Sequence, residues 1–133
     1  MTQKHALALA ALMSAGPAAY ADCGPGPGVL RGETRAVALA FRTTPSVIKV
    51  GELFSLQAEV CPQKGVSVTG IKVSAGMPAH KHGMNYRPRV SATGPGRYTA
   101  TGLMFHMPGR WQFVFDVETR AGRERIHVDH ALE

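Results

Sequence analysis

Two short stretches of the chain concentrate side chains that bind soft metals. Residues 77–84 read Met-Pro-Ala-His-Lys-His-Gly-Met, and residues 104–109 read Met-Phe-His-Met-Pro-Gly. Beyond residue 21 they hold every Met of the chain and every His except His127 and His130. Thioether sulfur is soft and uncharged, so it binds Cu(I) well and Zn(II) or Mg(II) poorly. Unlike thiolate, it does not form disulfides in an oxidising compartment. Imidazole suits Cu(I) and Cu(II) alike. The mixed set therefore points to copper, with Cu(I) ahead of Cu(II). The first-choice ligands are His80, His82, Met84, His106 and Met107. Met77 and Met104 complete the candidate set, and Met104, between Leu103 and Phe105, is expected to turn toward the core. In an extended chain His80 and His82 face the same side, as do Met104 and His106.

Other chemistries fail on detail. A blue-copper site needs a Cys with His and Met close behind it, but Pro62-Gln63-Lys64 follow Cys61. The His-x-His pair lacks the downstream Glu of a cupin, since Tyr86, Arg87 and Pro88 occupy that region. A histidine brace needs His at the mature N-terminus, and the expected one is Asp22. Neither paired carboxylates for glycoside hydrolysis nor a Gly-x-Ser-x-Gly elbow accompanies the cluster. An enzyme is not expected. The rival from another class is a metal-free interaction module, in which Met-rich loops form an adaptable apolar contact.

The elements that must position these loops read as strands. Phe54, Leu56, Ala58 and Val60 alternate with Ser55, Gln57 and Glu59, and Trp111, Phe113, Phe115 and Val117 alternate with Gln112, Val114 and Asp116. Period-two alternation turns one set inward and the other toward water. Shorter versions occur at Val37-Leu39-Phe41, Ile71-Val73-Ala75, Tyr98-Ala100 and Ile126-Val128, with Gly/Pro turn signals between them. No helical period holds over ten residues. Six or seven short strands in one domain of about 110 residues predict an antiparallel β-sandwich. The last hairpin is expected at Trp111–Thr119 and Arg123–His130. Across it Asp116 could face His127 as a surface ion pair. His130, near the tail, is expected in solvent.

Residues 1–21 carry one Lys, an apolar run from Ala6 to Met13 and an Ala-Tyr-Ala end, the layout of a cleaved signal peptide. The run is too short for a stable membrane anchor. The expected product is a periplasmic chain of residues 22–133 without stable membrane insertion. There Cys23 and Cys61 could pair, closing a 38-residue loop worth about 4 kcal/mol by chain entropy. Alternatively they could serve as thiolate ligands. With 15 Lys or Arg against 9 Asp or Glu, the chain is basic. The charges form no run with interleaved aromatics, so a nucleic-acid partner is not expected.

The run Met77-Pro78-Ala79-His80-Lys81-His82-Gly83-Met84-Asn85, then Gly96-Arg97-Tyr98 and Leu103 to Trp111, resembles the YtkA-like/FixH-like family over about residues 35–130. The resemblance implies an immunoglobulin-like sandwich of about seven strands, exported or membrane-tethered, with links to copper handling and haem-copper oxidase assembly. A looser similarity is to periplasmic Cu(I) chaperones, whose motif is a Met, a 21-residue gap and His-x-Met. Here 21 residues separate Met84 from His106. Met107 follows His106 directly, and Val73 stands where a further ligand of that motif falls. The implied partner is a periplasmic or membrane protein that donates or accepts copper.

Overall fold

A computed structural model describes residues 22–24 and 26–133. The expected signal peptide, residues 1–21, lies outside the described residues. Nine strands follow in order: β1 (Leu30–Glu33), β2 (Val37–Thr44), β3 (Leu53–Pro62), β4 (Val68–Met77), β5 (His82–Gly83), β6 (Arg89–Gly94), β7 (Arg97–Met104), β8 (Gly109–Thr119) and β9 (Gly122–Leu132). They form two antiparallel sheets, β1-β2-β3-β7-β6 and β5-β4-β8-β9. Without the short edge strands β1 and β5, the order is that of a seven-stranded immunoglobulin sandwich, four strands over three.

The alternation explains the two layers. Phe54, Leu56, Ala58 and Val60 of β3 are buried, and so are Trp111, Phe113, Phe115 and Val117 of β8. Phe41, Phe54, Phe105 and Phe113 meet edge-on or tilted between the sheets, at centroid distances of 5.0 to 6.2 Å. Such aromatic pairs add to the area they bury. On one side β1 closes against β9: a Cβ on Gly32 would stand 2.4 Å from Cγ2 of Ile126. A side chain there would collide with the Ile126 and Val128 methyls, so glycine leaves them room.

The β8–β9 hairpin turns through Arg120 and Ala121, placing Thr119 opposite Gly122. That register sets Asp116 against Arg125, and His127 against Val114. The expected Asp116–His127 pair is therefore replaced by Arg125 Nε donating to Asp116 at 2.7 Å. The Arg125 hydrogen bond lowers the Asp116 carboxyl below the usual carboxylate range, against the opposing effect of burial.

Cys23 and Cys61 form a disulfide spanning 38 positions, so neither is a thiolate ligand. Cys23 is buried against Ala38 and Ala40, and Arg31 Nη2 donates to the Gly24 carbonyl at 2.7 Å. Cys23 and Gly24 are thus stapled to the outer face of β2 and β3.

Candidate metal centre

The two Met/His stretches meet at one end of the sandwich. β4 delivers Met77, and a 3-10 turn, Pro78–His80, then reverses the chain. Pro78 opens the turn because its fixed φ suits the first helical position. Lys81 completes the reversal at φ 54, the left-handed region, where a residue with a Cβ costs roughly 1–3 kcal/mol. The chain returns as β5, setting His82 beside Met77 and Gly83 beside Gly76. His80 and His82 are therefore not on one extended segment, as the i and i+2 spacing suggested. A tight turn brings their rings to a 5.5 Å centroid separation instead.

The second stretch comes from the β7–β8 connection. Phe105 is fully buried and stacks on Trp111 at 4.4 Å, with 10° between the rings. Trp111 Nε1 donates to the Met107 carbonyl at 2.9 Å. These two anchors hold His106 between them, its ring edge-on to Trp111 at 5.4 Å. The His106 ring lies 5.3 Å from that of His82. Trp111 is thus both a core residue and the floor of the cluster; its indole is also 6.2 Å from His82.

The thioethers occupy three environments. Met77 is buried in the core, and its Cε lies 2.5 Å from where a Gly109 Cβ would be. Gly109 sits at φ +131, which favours glycine, and a Cβ there would have to displace the Met77 methyl. Met84 and Met107 are half-buried at the edge of the core. Met104 pairs with Leu53 across β7 and β3, while its neighbours Leu103 and Phe105 are buried. By strand alternation its side chain leaves the core rather than entering it, contrary to expectation.

Does copper fit these residues? Two imidazoles sharing one metal at about 2.0–2.1 Å from nitrogen have centroids roughly 5–6 Å apart. Both His separations lie in that range, which is also the range of ordinary aromatic pairs. Among the described residues, no group of three or more His, Cys, Asp or Glu could by itself hold a metal. A metal here would therefore need sulfur as well as nitrogen. Two details suit it. His106 Nδ1 is buried with no hydrogen-bond partner, a state that costs about 1–3 kcal/mol and that coordination would relieve. The Gly83 carbonyl lies 3.2 Å from His82 Nδ1; with the proton on Nδ1, Nε2 is left as the free donor.

His130 was missed. It is half-buried, between Phe105 at 6.1 Å and Phe113 at 5.8 Å. Burial lowers its pKa from 6.5. The alternation Ile126, Val128, His130 carried that signal.

The fold and this cluster define a class: an immunoglobulin-like β-sandwich with imidazole and thioether donors gathered at one end. Residues 33–115 match the YtkA-like family, and the chain belongs to it. No curated protein and no solved structure matches significantly. Among the described residues, no helix is long and apolar enough to cross a membrane.

Proposed function

We propose that this chain binds one copper ion, Cu(I) in preference to Cu(II), between residues 77–84 and 104–109. It carries or buffers the ion outside the cytoplasmic membrane and exchanges it with a periplasmic or membrane protein, an assembling haem-copper oxidase being one candidate acceptor. The observation that carries this reading is the approach of His82 to His106 at 5.3 Å from two separate connections, beside a buried ring nitrogen without a partner. His82 and His106 are the imidazole ligands, Met84 or Met107 supplies sulfur, and exposed His80 receives the ion at the rim. The disulfide suits an oxidising compartment and leaves thioether as the soft donor. Uncharged thioether bonds are labile, so the ion passes by ligand exchange. This is a carrier's chemistry rather than an enzyme's, because the cluster supplies no general base beyond imidazole.

The test is a Cu(I) titration against a chelator. A stoichiometry near one is expected, lost in a His80→Ala/His82→Ala/His106→Ala variant. Unchanged binding in that variant refutes the assignment. The rival, a metal-free interaction module, draws on ring separations that ordinary aromatic packing also gives. Metal analysis of protein purified with and without copper supplementation separates the two.

A further inference from the structure

The large exposed hydrophobic side chains among the described residues are Val47, Val50, Leu53 and Tyr86, at 67, 39, 61 and 47% exposure. All four lie at the end that carries the histidines. Val47 and Val50 are in the β2–β3 connection, Leu53 opens β3, and Tyr86 lies between β5 and β6. The connection is fastened there, because Gly51 N–H donates to the Phe105 carbonyl at 2.8 Å. Leu53 and Met104 form an outward-facing cross-strand pair beside it. Residues 46–50 and 130–133 line an adjoining groove of about 460 Å³.

Charge accompanies these apolar side chains. Lys49 stands between Val47 and Val50, and Arg87 and Arg89 follow Tyr86; all three are exposed. Glu52 and, in the groove, Glu133 oppose them. Lys is depleted in protein–protein contacts, although Tyr and Arg are favoured there; the excess of three cations over two carboxylates tells against a second copy of the chain, which would bring like charges together. Aliphatic side chains beside Lys and Arg, with a Tyr, instead match the headgroup region of a bilayer: the apolar groups reach the acyl boundary and the cations meet lipid phosphates.

We propose that this end of the sandwich docks reversibly on an anionic lipid surface through Val47, Val50, Leu53 and Tyr86, with Lys49, Arg87 and Arg89 on the phosphates. Docking would turn the Met/His loops toward a membrane-bound acceptor. That use rests on the copper reading, whereas the docking does not, so the test uses metal-free protein and the two fail separately.

The experiment is co-sedimentation with phosphatidylglycerol/phosphatidylethanolamine vesicles and with phosphatidylcholine vesicles. Binding to the anionic vesicles is expected, with little to the neutral ones. It should fall about tenfold or more in Val47→Asp/Leu53→Asp and in Lys49→Glu/Arg89→Glu. It should also fall in about 0.5 M sodium chloride, where screening shortens to a few Å. All four positions are exposed, and circular dichroism checks that the variants fold. No binding to anionic vesicles, equal binding to both kinds, or binding unchanged in the aspartate variant overturns the proposal. A concentration-dependent dimer that the aspartate variant dissolves overturns it too, by assigning these side chains to a contact with a second copy.

Discussion

The two ends of the sandwich are built on different principles. At one end the connections are short and hydrogen-bonded: the β8–β9 turn has Thr119 Oγ1 donating to the Gly122 carbonyl at 2.8 Å, Arg120 N–H donates to Ser67, and Gln63 N–H donates to Ala36. The Cys23–Cys61 bond staples the same region, and Arg123 pairs with Glu118 at 3.2 Å. The other end carries a non-glycine residue at positive φ, a buried ring nitrogen without a partner and all the large exposed hydrophobic groups of the described residues. Strain and unsatisfied polarity persist where the surrounding structure holds them in place. Here Phe105 and Trp111 do so from the core. One end closes the fold; the other leaves polar and apolar groups unsatisfied or uncovered where they stand.

Substitutions can break or sharpen that contrast. The largest effect is expected from Trp111→Ala, which empties a core site and removes the floor of the cluster. Its cost is about 3–5 kcal/mol, and chemical denaturation would read it together with a loss of Cu(I) affinity. Trp111→Phe keeps most of the packing and loses the hydrogen bond to Met107. A Phe variant as destabilised as the Ala one would show that the indole nitrogen, rather than the packing, matters.

Next comes the stapled end. Cys23→Ser/Cys61→Ser should lower stability by about 2–5 kcal/mol and leave copper affinity unchanged in the protein that remains folded. A parallel loss of affinity would mean that the two ends are coupled. The reverse dissociation is expected from His82→Ala: an exposed side chain, a stability change within about 0.5 kcal/mol, and weakened Cu(I) binding. A large drop in thermal stability without a change in binding would make His82 a structural residue.

The smallest effect concerns pH. Burial lowers the folded-state pKa of His130 below 6.5, so the unfolded chain takes up the proton first as pH falls. His130 therefore costs no stability above about pH 6.5 and progressively more below it, until the folded pKa is passed. His130→Phe should flatten that part of the stability profile. A profile identical to wild type between pH 7 and 5 would contradict the burial account.

Much of the framework was legible because burial writes period two into the long strands. β3 and β8 are each inward-facing at alternate positions, as their sequences read. The edge strands β1, β5 and β6 were not legible, whereas the fourth, β9, was. β5 has two residues, and β6 exposes most of its six, so neither carries an alternating apolar signal. Register was lost for a related reason: a two-residue turn, rather than one running through Gly122, puts Arg125 opposite Asp116. At the site, the gathering of residue types marked both stretches, and the sandwich brings them to one end. What the spacing could not give was the route. Lys81 at positive φ brings His82 back beside Met77, and alternation across Leu103, Met104 and Phe105 sends Met104 outward to Leu53. Both outcomes depend on backbone geometry that residue type alone does not encode.

The central claim is that sulfur from one stretch and nitrogen from both converge on a single ion. X-ray absorption on the Cu(I)-loaded protein tests it most directly. One copper per chain is expected, with sulfur and nitrogen scatterers together, and the nitrogen contribution should diminish in either His82→Ala or His106→Ala. A spectrum without sulfur, or one that neither substitution changes, would contradict the account.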